Sequence, residues 1–269
     1  MRARAALTCE RYGTTHRLTR LRSEGPLALR PTRPKAFEPW VQGDASAGRV
    51  SLSAAAAGPL GGDRLELDVR VGAGAVLVLN EISATLALPG TTGAQSEMRF
   101  TIRVDDDATL IWMPEPVIAA RRCDHRQSIT VDLATSARFY LREELIVGRH
   151  NEEPGNIEQR LRIVRGGAPV YDQDLRLGSR YAGWDSPAVT EGRRAAGTMI
   201  IVDPGSGIGR GRTDLINKEA VSVGLDDDVV QATATAPDNL TLARALDEAL
   251  ALVGAPWSTP STNPPAAPR

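Results

Sequence analysis

Between residues 64 and 177 the chain repeats one device: apolar and polar side chains alternate, and small polar turns break the alternation. Leu65, Leu67, Val69 and Val71 alternate with Arg64, Glu66, Asp68 and Arg70. Met98, Phe100, Ile102 and Val104 do the same, as do Ile129, Val131 and Leu133. A period of two is that of a strand with one buried face. More apolar stretches stand between them, at Val76–Leu79, Thr109–Met113 and Phe139–Val147. Ile157–Val164 and Val170–Leu177 follow, separated by Gly166-Gly167. Four turns share the order strand, small polar turn, alanine, strand. Their alanines are Ala75, Ala108, Ala137 and Ala168, spaced by 33, 29 and 31 residues. A period near 30 predicts a mostly β fold of stacked coils around one continuous core, β-solenoid-like. A plain antiparallel sandwich is the alternative. Aromatic residues are only 4% of the chain, so Val, Leu, Ile and Ala must build that core.

About two helices are expected. Leu242, Leu246, Leu250 and Val253 form a helical stripe over 238–253, with Asp238 or Asn239 as its cap. A second helix is expected near 214–220. Residues 178–192 read as a long loop and Ala196–Val202 as a strand. The whole reads as a single domain over residues 1–255, with a core β region at about 50–180 and a strand-and-helix part at about 193–255. Residues 256–269 contain five prolines and are expected to be disordered.

The net charge of −1 argues against a nucleic-acid partner, and no apolar run is long enough for a membrane span. Residues 1–35 nevertheless carry nine Arg or Lys against two Glu. A basic front on an acidic body marks an interaction surface, with Arg17, Arg20 and Arg22 as partner-binding candidates. The alternative is an arginine-rich strand with a solvated face. Two cysteines and an N-terminus without a secretory apolar region fit the cytoplasm.

The only lysines, Lys35 and Lys218, do not follow a glycine turn, which excludes a P-loop. Gly205–Gly211 lacks the glycine spacing of a dinucleotide loop and reads as a flexible loop. Cys123 and His125 are the one tight pair of soft ligands and the weak metal candidate. Arg121, Arg122 and Arg126 beside them oppose a cation, and an ordinary surface turn is the alternative. Glu143 and Glu144 interrupt an apolar strand. Strand neighbours face opposite ways, so one of the two should point inward. A buried carboxylate needs a partner, water or a cation. Either Arg149 pairs with it, or it lines a polar path.

Several segments together resemble the UreD (UreH) family of urease accessory proteins. They are Gly58-Pro59-Leu60-Gly61-Gly62-Asp63-Arg64-Leu65, Ser83-Ala84-Thr85-Leu86, Leu110–Pro116, Glu143–Arg149 and Glu152-Glu153-Pro154-Gly155. Their order and spacing match over roughly residues 55–180, and a weaker match extends to about 255. The sequence departs from the family at Ala54–Leu60, at Leu86–Gly90 and at Arg142, where a tryptophan is usual. Gln173 stands where the family has an acidic residue, between Asp172 and Asp174.

The resemblance implies a non-enzymatic scaffold that binds apo-urease (UreABC) with UreF and the GTPase UreG. It also implies delivery of nickel through a water-filled tunnel, with no tightly bound cofactor and only transient Ni²⁺. Asp63, Glu143 and Asp174 become tunnel candidates, with Glu144 as the alternative if the register slips by one. The rival readings are a β-rich module of another complex that docks through its basic N-terminal face, and an enzyme using the glycine loop.

Overall fold

The computed structural model describes residues 1–34, 38–41 and 46–257. The chain starts with strands β1 (Arg2–Tyr12), β2 (Thr15–Arg22), β3 (Leu27–Pro31) and β4 (Gly48–Ala54). It then winds between two sheets through β5 (Arg64–Val71), β6 (Val76–Glu81), β7 (Thr85–Ala87), β8 (Ser96–Val104) and β9 (Thr109–Met113). The winding continues through β10 (Val117–Ala119), β11 (Asp124–Leu133), β12 (Arg138–Val147) and β13 (Asn156–Arg165). Strands β14 (Ala168–Leu177), β15 (Ala195–Val202), β16 (Thr213–Leu215), β17 (Ala220–Asp226) and β18 (Val229–Ala236) close the fold, followed by helix α1 (Asn239–Val253).

One sheet has the order β14-β13-β11-β8-β5-β1-β2; the other runs β16-β17-β18-β15-β12-β9-β6-β4-β3. From β5 to β13 the long strands alternate between the sheets and pair in parallel with the coil before. This is the stacked, solenoid-like β arrangement that the 30-residue beat predicts. The beat itself has a tight cause. Ala75, Ala108 and Ala137 are fully buried, and each closes its turn by donating its backbone N–H to the carbonyl of the residue three before. The amide after Ala108 then bonds Ala75, and the amide after Ala137 bonds Ala108. Ala168 is exposed and opens an antiparallel hairpin, so the fourth turn ends the coiling instead of continuing it.

In-register pairing turns the alternation into ladders. Leu67, Phe100, Ile129 and Leu161 stack across one sheet, and Val69, Ile102, Val131 and Ile163 stack beside them. Facing them are Leu77, Leu110, Phe139 and Val202, then Leu79, Trp112, Leu141 and Ile200. Each such buried aliphatic side chain contributes about 1.5–3 kcal/mol. On the outer face opposite charges pair between strands: Arg4 meets Asp68 at 2.7 Å, Arg126 meets Glu158 at 2.9 Å and Arg160 meets Asp172 at 3.1 Å.

Helix α1 follows the expected stripe. Asp238 caps it by accepting the Thr241 amide at 2.8 Å, and Leu242, Leu246 and Leu250 are buried against β15 and β18. The expected helix near 214–220 is instead a hairpin between β16 and β17. Asn217 is the reason: its Oδ1 accepts the amides of Glu219 and Ala220 at 2.8 and 2.9 Å, which fixes a turn. Gly209 is held by backbone proximity, because a Cβ there would lie 2.0 Å from the Asp226 carbonyl oxygen. Residues 258–269 of the expected tail, and Lys35, lie outside the described residues. Trp257 does not behave as a tail residue. It is fully buried, stacks on Tyr140 and donates its indole N–H to Asp203 at 2.8 Å.

Candidate functional site

One step along the strands from the apolar ladders, the core changes character. Two residues past Leu79 stands Glu81, and two past Leu141 stands Glu143. The row continues from Glu143 through Thr198 to Thr233. On the opposite sheet the corresponding row runs Leu65, Met98, Gln127, Gln159. The two rows meet where Gln127 Nε2 donates to Glu143 Oε1 at 2.9 Å. A continuous dry core would place leucines here, so this layer costs stability relative to an apolar one.

The layer is hollow on both sides of Glu143. A cavity of about 60 Å³ is bordered by Glu81, Glu115, His125, Gln127, Glu143 and the Trp112 ring. A second cavity, of about 210 Å³, is bordered by Glu143, Gln159, Gln173, Thr190, Thr198 and Thr235. Glu143 belongs to both and is their waist. A water needs roughly 10–15 Å³ of such space and two or more polar partners, so both cavities have room for water. Glu143 Oε2, His125 Nε2 and Gln159 Nε2 are buried and make no hydrogen bond of good geometry among the described residues.

Burial pushes the Glu143 carboxyl up to about 8, and the side chains of Gln127 and Gln159 pull the other way. Burial also pushes Glu81 up to about 8, and the charges of Glu115 and Glu143 add to that. His125 is driven down to about 4 by burial and is a neutral imidazole, its Nδ1 2.9 Å from Ser96 Oγ. At neutral pH burial therefore favours the protonated form of Glu81 and of Glu143. An arriving cation would favour the ionised carboxylates again.

The other sequence candidates separate. Glu144 faces the helix side, and Arg142 holds its carboxylate at 2.7 Å and also binds Asp247. It still borders the first cavity. Arg149 pairs with Glu152 at 2.8 Å and with neither Glu143 nor Glu144. Asp63 is buried in the Gly58–Gly62 turn, where it accepts the Leu60 amide at 2.9 Å and the Met1 ammonium at 2.6 Å. It supports Gly58 and Pro59, which border the first cavity, and is not itself among the bordering side chains. Asp174 is corrected outright. The two-residue period turns Gln173 inward to the second cavity and Asp174 outward, where it pairs with Arg176 at 2.9 Å.

Cys123 and His125 also part. His125 borders the first cavity, while the Cys123 thiol is buried near the Asn156 carbonyl at 3.7 Å, and burial pushes it up to about 11. His125 lies on a strand, and Cys123 closes the Ala120–Cys123 turn with its thiol buried beneath the exposed Arg121 and Arg122. Among the described residues no three His, Cys, Asp or Glu side chains are grouped to hold a metal ion. Arg17, Arg20 and Arg22 lie exposed along β2, the outermost strand of its sheet. Arg22 pairs with Glu24 at 3.0 Å and Arg17 lies over the Tyr12 ring.

Comparison with known proteins decides the family. The sequence matches the UreD urease accessory protein family over residues 1–254. The chain belongs to the UreD family. Urease accessory protein UreD 2 of Saccharopolyspora erythraea is 42% identical over 235 residues, covering 86% of this chain and 80% of that protein. Urease accessory protein UreD of Streptomyces coelicolor is also 42% identical, covering 86% and 88% of the two chains. UreD 3 of Streptomyces griseus is 38% identical and covers 93% and 96%. These relatives are named as accessory proteins of an enzyme and not as the enzyme. No helix among the described residues of this UreD chain is long and apolar enough to cross a membrane.

Sequence reasoning missed Glu81, Glu115, Gln127 and Gln159 in this UreD chain. Two of them carried a usable signal. Gln127 continues the Ile129, Val131, Leu133 alternation by one step, and Gln159 occupies an apolar phase between Ile157 and Leu161.

Proposed function

We propose that this chain is a non-enzymatic scaffold of urease maturation in the cytoplasm. It binds apo-urease together with UreF and UreG and helps deliver nickel through the hydrated layer between its sheets. The single observation that carries this reading is Glu143, a carboxylate at the junction of two cavities with one oxygen unpartnered. A nickel ion in transit needs oxygen ligands and water that bind briefly, because a closed cage would retain it. Glu81, Glu115, Glu143 and Glu144 supply such oxygens. Asp63 acts indirectly by holding the Gly58–Pro59 rim, and Asp174 takes no part in the path.

The test is co-expression with a urease operon that lacks only its UreD component. Glu143→Ala is expected to co-purify with its partners as the parent does, yet to lower both urease activity and enzyme-bound nickel by at least tenfold. Normal nickel content with this variant would overturn the conduit and leave the scaffold.

A second reading has its own support. Arg17 and Arg20 lie on a free edge strand and make no ion pair among the described residues, whereas Arg4, Arg70, Arg99, Arg103 and Arg126 on the same sheet all do. That excess of positive charge fits docking of an acidic partner surface.

A further inference from the structure

The two sheets do not end together. Gln231 Nε2 donates to the Tyr171 hydroxyl at 3.0 Å, so β14 faces β18 across the core. β14 is the last strand of its sheet, whereas the other sheet continues past β18 through β17 and β16. Pairing fixes which way this overhang faces. Val221 pairs with Thr233, in the row that runs back through Thr198 to Glu143, and Val223 pairs with Gln231. Leu215 on β16 pairs with Val221. Side chains directly opposite each other share a face, so all three point to the side where the shorter sheet has no strand. Ala220 and Ser222 point the other way and are buried on the side of α1. Leu215 is 83% exposed, and Val221 and Leu225 are exposed as well. A groove of about 340 Å³ between Val170 on β14 and Leu225 on β17 opens the seam at one end.

We propose that this seam takes one extended segment of a partner protein, added as a strand to β14, with apolar side chains turned in toward Val221, Val223 and Leu225 and basic side chains turned out beside Asp172 and Asp174. An outermost strand offers unpaired backbone groups to a further strand, and pockets beside it select alternate side chains. The added strand would cover the overhang and continue the apolar rows of the core. Its outward side chains would fall next to Asp172 and Asp174, which are exposed on the outer face and stand two residues apart. Arg160 and Arg176 answer these carboxylates from one side only, which leaves the edge side acidic. A second copy of the chain does not fit. Its basic edge strand β2 would match the two aspartates, but β3 packs against β1 and β2 and would arrive in the space that β17 fills. The chain's own residues 258–269 include Pro260, Pro264, Pro265 and Pro268, which lack the amide that a ladder needs. The proposal needs no metal path, so its failure leaves the nickel test untouched.

The probe is a synthetic peptide of about ten residues, the length of β14, in which valine and arginine alternate. Added to the full chain, it is expected to slow backbone hydrogen exchange along β14 at least tenfold and to leave β2, the opposite edge of the same sheet, unchanged. A peptide of the same composition with its valines and arginines in separate blocks should bind at least tenfold more weakly. Asp172→Lys together with Asp174→Lys should weaken the alternating peptide at least tenfold and admit one with glutamate in place of arginine. Val221→Asp should weaken both. No slowing along β14, equal binding of the block peptide, or a double lysine variant that behaves as the parent would each overturn the proposal. So would a β14 edge already protected in the peptide-free chain: protection that rises with protein concentration would assign the seam to a second copy, and protection independent of it to the chain's own tail.

Discussion

Glu143 and Glu144 are covalent neighbours with opposite surroundings, because a strand sends successive side chains to opposite faces. Glu144 finds Arg142, while Glu143 finds an amide and a cavity. Sequence alone leaves open which of the two turns inward; the pairing of β12 with β9 and β15 decides it. The consequence is measurable as pH dependence. Glu81 and Glu143 titrate near 8 in the fold and near 4.5 when exposed, so the folded chain binds more protons between those values. Their contribution is complete below 4.5 and is lost as pH rises toward 8. His125 works in the opposite sense. Its value falls from 6.5 to about 4, so its contribution is lost only as pH falls through that range. Between pH 6.5 and 8 the two carboxyls act without it. Urea unfolding across that window should show stability falling, by at most about 1.4 kcal/mol per pH unit for each group. Glu81→Gln and Glu143→Gln should each flatten the slope. A flat parent profile would mean that water in the cavities keeps the carboxylates ionised.

Among the elements, the coils depend on residues too small to attract notice. Ala75, Ala108 and Ala137 sit fully buried where one turn lies on the next, and successive turns bond through their backbones. There is no room for a longer side chain without separating those turns. Ala108→Leu should therefore destabilise the chain by about 1–3 kcal/mol in urea unfolding. Ala168→Leu, at the exposed hairpin, should stay within about 0.5 kcal/mol of the parent. The alanine beat was legible in the sequence because three coils obey it. The hairpin at 216–220 was not, because its apolar residues fall at helical spacing while the deciding bond comes from one asparagine side chain. Trp257 was obscured in another way: its prolines and small polar neighbours read as solvent-exposed, and the socket that buries it is assembled from Tyr140 and Asp203, far away in sequence.

Over the whole molecule, two sheets face each other across apolar ladders at one level and a hollow, polar layer at the next. Many of their outer charges are paired, while Arg17 and Arg20 on the first edge make no ion pair among the described residues. Arg17→Ser together with Arg20→Ser should leave unfolding within about 0.5 kcal/mol, since exposed charges contribute little to stability. The same double variant should weaken capture of the maturation partners, with a larger loss at low than at high salt. Unchanged capture at every salt concentration would remove the basic edge from the docking surface. The sequence by itself determined the strands, the coil period, the capped helix and the family, because alternation, turn chemistry and motif order are local and survive in one dimension. Only the tertiary structure decided that Glu81, Glu115, His125, Gln127 and Glu143 surround one hollow layer. Those residues lie on four different segments, and a cavity exists only where stacked coils hold two sheets apart. It also decided that Asp174 lies outside and Gln173 inside, because the face a strand residue occupies depends on which side its sheet is covered.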